Sequence, residues 1–228
     1  QVVLLAQAAR ISLPEAVSAT VGSLNQFSEG SDQAARIVNV LAAGAKEGAS
    51  EIANSSLAIR EAGTVAAQAG VGFEQLNGLI QTLAERQIFG VRAGTQLRNI
   101  LVILESQVND KFKPSIEGIN GALQNLNDAQ LSATERAKLF GRENVTAASI
   151  LVENADKVEQ YTRAVTGTQV ANEQARIQVD SLAGDLRLLA ASYDAVSTQI
   201  GANFEPSARR SVKALRDIVA ALDGLIEP

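Results

Sequence analysis

Apolar positions recur along this chain at steps of three and four, the spacing of one helix face. Ser12-Leu13-Pro14-Glu15 has the form of a capping box with proline in the first turn, and so predicts a helix start. Val17, Val21, Leu24 and Phe27 supply the stripe of that helix. Gly30 predicts its stop and Ser31 a cap for the next helix, whose stripe is Ala34, Ile37 or Val38, Leu41 and Ala45. Gly48 and Ser50 mark another break. Ile52, Ile59, Ala62 and Ala66 predict a helix over 51–69. Gly70 and Gly72 read as a helix end and a tight entry turn, after which Phe73, Leu76, Ile80 and Leu83 restart the period. No two-residue alternation persists, so strands are not expected.

The stretch FGVRAGTQLRNIL at 89–101 has two readings. Gly90 and Gly94 followed by Thr95, with Arg98 beyond, could cradle a phosphate. They could equally belong to a helix that needs small side chains. A phosphate loop wants its glycines ahead of the helix and a Lys-Ser or Lys-Thr pair at its start. Here Gly94, Leu97, Leu101 and Leu104 share one face, and no such lysine comes after. Close packing of one helix on another is the reading adopted for Gly94.

Beyond Asn109 the elements shorten. Lys113-Pro114-Ser115 opens a helix bearing Ile116, Ile119, Leu123 and Leu126. Its Gly118 and Gly121 form a GxxG without a basic residue, which predicts a weak helix, not a nucleic-acid clamp. Ser132-Ala133-Thr134-Glu135 is a second capping box, and Gly141 ends the short helix it starts. A longer helix carries Ala148, Leu151, Ala155, Val158, Tyr161 and Val165, closed by Thr166-Gly167-Thr168. Then Ala175, Val179, Leu182, Leu186, Leu189, Tyr193, Val196 and Ile200 alternate four and three, a heptad seam. Gly201 and Pro206 predict a kink or break. Val212, Leu215, Val219, Leu222 and Ile226 resume the alternation. Arg209, Arg210, Lys213 and Arg216 read as a solvated face.

Composition narrows the chemistry. The 228 residues are 46% hydrophobic and only 4% aromatic, so small aliphatic groups must build the core. There is no Cys and no His, which excludes thiol chemistry, Cys/His zinc sites and imidazole catalysis. A net charge of −5 argues against general attraction to nucleic acid or an anionic bilayer. No calcium-loop pattern is present. No segment predicts a membrane span, and the opening apolar run lacks the basic start of a signal peptide. With no Met at position 1 and a helix already under way, the expectation is a piece of a longer protein. The candidate acids are Glu105, Glu135 and Glu143. Each has a plain role at a helix end, in a capping box or in a first turn. No catalytic, cofactor-binding or metal residue is therefore assigned, and no cofactor is expected.

Several runs together resemble bacteriophage tail tape-measure proteins in their minor-tail core region. They are ISLPEAVSATVGSLNQF at 11–27, AARIVNVLAAGAKEG at 34–48 and the long run at 58–104 ending in the Ala93-Gly94-Thr95-x-Leu97-Arg98 helix. LFGRENVTAASILVENADK at 139–157 and QIGANFEPSARRSV at 199–212 are similar to the later part of that region and to its tail. Gly72 and Thr64 depart from the pattern, where relatives commonly carry a Ser or Thr cap and a proline. The resemblance implies a virion protein in the lumen of the tail, present in the host cytoplasm during assembly, whose length sets the tail's length. It implies tail-tube proteins, tail-tip proteins and tail assembly chaperones as partners.

The expected fold class is all-α: a bundle of short helices followed by a long heptad-bearing helix kinked or broken near Pro206. The expected organisation is a core module over 1–107, a connecting region over 108–168 and a long helical or coiled-coil segment over 169–228, through which copies could self-associate. Two rival readings use the same residues. One is a generic coiled-coil scaffold, which heptads alone would allow. The other is a peptidoglycan hydrolase using paired carboxylates.

Overall fold

A helix buried on every side requires neighbours on every side, and residues 76–84 are such a stretch. The computed structural model describes residues 1–179 of the chain. Among them lie ten α-helices and no strand. They are α1 (Val2–Ala9), α2 (Leu13–Gln26), α3 (Ala34–Glu47), α4 (Ile52–Gln68), α5 (Phe73–Ala84), α6 (Gly90–Glu105), α7 (Pro114–Asp128), α8 (Ala133–Glu153), α9 (Ala155–Val165) and α10 (Val170–Val179). The all-α expectation holds for these residues.

Helix α5 is the hub. Every residue from Leu76 to Ala84 is buried, polar ones included. Helices α3, α4, α6, α8 and α9 all touch it. Its apolar side chains Leu76, Leu79, Ile80 and Leu83 are fully enclosed. Gln81 keeps its amide satisfied inside the core. Its Oε1 accepts from the Ser50 N–H at 2.7 Å, and its Nε2 donates to the Ser50 carbonyl at 3.4 Å. One buried side chain thereby pins the α3–α4 connection, where a polar group left unpaired would be costly.

Both capping boxes form as the sequence predicts. The Ser12 side chain accepts from the Glu15 N–H while Glu15 accepts from the Ser12 N–H at 2.9 Å. Ser132 and Glu135 repeat the arrangement. In each, the hydrogen bond from the serine side chain, and then that from its backbone, holds the glutamate below the usual carboxylate range. Gly141 lies at φ +74° inside α8 and breaks it into two pieces, as read from the sequence. Gly118 does the same to α7 at φ +70°.

Four local expectations are corrected. The longer helix read from Ala148 to Val165 is two, because Asn154 leaves helical geometry at φ −124°, ψ 33° between α8 and α9. Helix α2 ends at Gln26, ahead of Gly30, because Ser28 takes the left-handed conformation at φ +54° and the Glu29 N–H reaches back to the Leu24 carbonyl at 2.9 Å. Ser31 does not cap α3; it opens a 3-10 turn, Ser31–Gln33, ahead of it. Val17 and Val21 are not core. Helix α2 buries Ala16, Ala19, Thr20, Ser23 and Leu24 and leaves the valines out. The small face packs closer than valines allow, and the Thr20 and Ser23 hydroxyls donate to the Ala16 and Ala19 carbonyls.

The chain divides into two units, Gln1–Asn172 and Glu173–Pro228. In the first, α7 and α8 pack on α6, and α8 and α9 on α5. Of the heptad seam, Ala175 and Val179 fall in α10. The seam beyond them, the kink near Pro206 and the strip from Arg209 to Arg216 lie outside the described residues.

Candidate functional site: the Gly94 crossing and the α2/α4 groove

Gly94 sits inside α6, past its first turn, and the phosphate question is settled by the backbone that stands opposite it. A Cβ at Gly94 would lie 2.5 Å from the Ala58 carbonyl oxygen and 2.8 Å from the Ala58 Cα, with the Glu61 Cβ at 2.7 Å. Helix α4 thus fills the space a ligand would need. Arg98, one turn on, faces Glu61 at 3.8 Å, and Arg60 faces the same carboxylate at 3.5 Å. The stretch is a helix crossing, and Arg98 is engaged by a carboxylate of the neighbouring helix.

The same device recurs at a glycine that sequence reasoning passed over. A Cβ at Gly78 of α5 would meet the Val158 carbonyl of α9 at 2.7 Å and the Thr162 hydroxyl at 2.6 Å. The available signal was a glycine inside the Leu76, Ile80, Leu83 period, where alanine would otherwise be preferred by about 1 kcal/mol. Close to it, Glu85 joins α5 to α9. Its carboxylate accepts from Lys157 Nζ and from the Tyr161 hydroxyl, each at 2.5 Å. The lysine, then the tyrosine, hold Glu85 below the usual carboxylate range. Burial, then Glu85, pushes the Tyr161 hydroxyl up to about 12.

The two shifts have opposite signs in pH. The lowered Glu85 stabilises the fold above its unfolded value of about 4.3, and that contribution fades as pH falls through the folded value. The raised Tyr161 stabilises below about 10, and that contribution fades as pH rises toward 12. In a Tyr193→Phe background, ultraviolet titration of Tyr161 should give a midpoint near 12. Adding Glu85→Gln should bring it down toward 10. An unmoved midpoint would remove Glu85 as a cause.

Asn39 is a second long-range fixture. Buried in α3, it donates to the Ala35 carbonyl at 2.9 Å, and its Oδ1 accepts from the Ala171 N–H at 3.1 Å. Ala171 is the second residue of α10, so a residue 132 positions away caps that helix. Asn39→Ala should speed amide exchange at Ala171 by roughly tenfold, the equivalent of a cap worth about 1 kcal/mol. Unchanged exchange there would show that the cap is dispensable.

Between α2 and α4 runs a groove of about 310 Å³. Ala19, Ile52, Ala53, Leu57 and Ile59 line it, with Glu15 and Arg60 as its charges. The three carboxylates weighed as acids do not line it. Glu105 instead receives the start of α7, accepting from the Ser115 N–H at 2.8 Å and the Ser115 hydroxyl at 2.7 Å. Glu135 is held in its capping box. Glu143 comes just after the break at Gly141, and its backbone carbonyl accepts from Gln96 at 2.8 Å. Among the described residues no three His, Cys, Asp or Glu side chains gather as metal ligands. No described helix is long and apolar enough to cross a membrane.

A family profile described as phage-related minor tail protein matches residues 1–173. The chain is 24% identical to the probable tape measure protein of Escherichia phage P2, an alignment covering 98% of this chain and 30% of that protein. It is 23% identical to the tape measure protein of Pneumococcus phage Dp-1, over 89% of this chain and 20% of that protein. The chain therefore spans less than a third of the length of these relatives. No solved structure matches it.

Proposed function

The chain belongs to the phage-related minor tail protein family, and from that premise we propose that it is the helical module of a tape measure protein. It is a structural part of a phage tail. In this reading the parent protein lies in the tail lumen and its length sets the length of the tube. Tube subunits assemble around it with tail-tip proteins and assembly chaperones, in the host cytoplasm, before the virion is complete. The observation that supports this most is the family match over 1–173 together with the Gly94 crossing inside it. The site where a nucleotide loop could have stood is a contact between helices, as a mechanical part requires.

The three-part organisation at 1–107, 108–168 and 169–228 belongs to the same reading, with the last segment serving extension and self-association through its heptads. An α-helix extends about 1.5 Å per residue, so a helical parent chain converts residue count into length linearly. In this reading the helical unit up to Asn172 is a folded anchor that fixes where length is counted from.

Complementation tests the anchor. A phage lacking the parent gene, supplied with the Gly94→Leu form, should yield heads without full-length tails in electron micrographs. The Gly22→Ala form should restore normal tails, because a Cβ at Gly22 meets nothing within 4 Å. Normal tails from both would refute the need for a folded module.

A further inference from the structure

Asparagine is followed by glycine twice in the chain, at Asn77–Gly78 and Asn120–Gly121. A glycine nitrogen is the least hindered backbone nucleophile, since no side chain flanks it. It can reach the preceding side-chain amide only where its N–H is free of a helix ladder and the chain can turn. Gly78 stands beyond the first turn of α5, so its N–H is committed to the carbonyl four residues back. Asn77 is 1% exposed inside the hub. Asn120 stands differently. Gly118, at φ +70° and ψ 159°, interrupts α7, and the helix restarts behind it. Gly121 is then the third residue of a new first turn, whose N–H groups have no carbonyl one turn back. Asn120 is half-buried, and its Oδ1 is enclosed without a hydrogen-bond partner. Fraying this one turn frees Asn120 to rotate, whereas the same motion at Asn77 requires unpacking α5 from the helices around it. Ile119, 1% exposed, resists the fraying and keeps the folded chain less reactive than an unfolded one.

We propose that Asn120 is a site of spontaneous covalent modification, closing on Gly121 and reopening with water. The Gly121 nitrogen gives up its proton and bonds to Asn120 Cγ. The Cγ–Nδ2 bond breaks, and Nδ2 leaves as ammonia with that proton. A five-membered succinimide remains. Water then adds to one of its two carbonyls, and the bond from that carbonyl to the Gly121 nitrogen breaks, the nitrogen taking back a proton. Opening at Cγ gives aspartate; opening at the backbone carbonyl leaves the chain running through Cγ and gives isoaspartate. The two products act on α7 in opposite directions. An aspartate in the first turn of the restarted helix is favoured by the helix dipole. An isoaspartate adds a methylene to the backbone between Ile119 and Ala122, both buried, and puts them out of register. This inference stands apart from the reading of the parent protein as a ruler.

Hydroxylamine cuts a chain at a succinimide, so it reports the ring directly. The folded 228-residue chain is kept with it in mildly alkaline buffer, and the same chain in denaturant serves as the reference. The folded chain should yield fragments 1–120 and 121–228, at a rate about tenfold or more above cleavage after Asn77, because only the first pair is reached by fraying. In denaturant the two pairs should be cut at similar rates. Without hydroxylamine, peptide mass spectrometry of the aged folded chain should find aspartate and isoaspartate at position 120. Gly121→Ala, checked for folding by circular dichroism, should lose most of this cleavage, since its methyl group crowds the attacking nitrogen. The added Cβ would come 3.3 Å from the Cβ of exposed Glu117, a contact that side chain can yield to. No cleavage after Asn120 in the folded chain overturns the proposal. Equal folded-state rates at the two pairs mean that reaction passes through global unfolding, and overturn it too, as does full cleavage in Gly121→Ala.

Discussion

Gly94→Ala is expected to lower the unfolding midpoint of the chain by roughly 4–8 °C, the net of an overpacking cost of about 3 kcal/mol and a helix-propensity gain of about 1 kcal/mol. One methyl group does this because its neighbours cannot step aside. The nearest atoms are the carbonyl oxygen and Cα of Ala58 at 2.5 and 2.8 Å, which are backbone of α4. A flexible side chain tip could rotate away; a helix backbone has to move as a whole, and α4 is also packed on α2, α3 and α5. Helix propensity works the other way, since alanine is the better helix former by about 1 kcal/mol. The net loss therefore understates the cost of the contact by about 1 kcal/mol. Gly22→Ala is the matched control. It too lies inside a helix, its Cβ meets open space, and it should raise the midpoint by about 1–4 °C. Thermal melts of the two variants followed by circular dichroism distinguish a crossing from a propensity effect.

Phe73→Ala carries the other large effect. Phe73 opens α5, is 1% exposed and heads the fully buried side chains. Its ring meets the edge of Phe27 at 5.4 Å between centroids, 87° between planes. The expected loss is about 3–5 kcal/mol, which corresponds to a midpoint lower by roughly 6–20 °C. A double-mutant cycle with Phe27→Leu should return a coupling of about 0.5–1.5 kcal/mol for the edge-on pair. A coupling of zero would leave the Phe73 loss as cavity alone.

Which features were legible in the sequence depends on where the information sits. Both capping boxes and the breaks at Gly70 and Gly141 depend on residues within one turn of each other, the role of Gly94 on the period of its own helix, and they formed as read. Helix α2 misled for a physical reason. Val17 and Val21 outrank Ala16, Ala19, Thr20 and Ser23 in hydrophobicity, but close helix approach rewards small volume, so the less apolar face went inward. Its end was misplaced because Ser28, not a glycine, adopted the left-handed turn. The fixtures that join distant elements were not readable at all. Asn39 on Ala171, Glu85 on Lys157 and Tyr161, and Gln81 on Ser50 pair residues whose spacing carries no periodic signal. The groove shares that fate, since it exists only once α2 lies beside α4.

Tail length in virions tests the ruler most directly. In-frame duplications and deletions are made in the parent gene outside residues 1–173, and tails are measured by electron microscopy. Length should change by about 1.5 Å for every residue added or removed. Tails that keep one length across the series would contradict it.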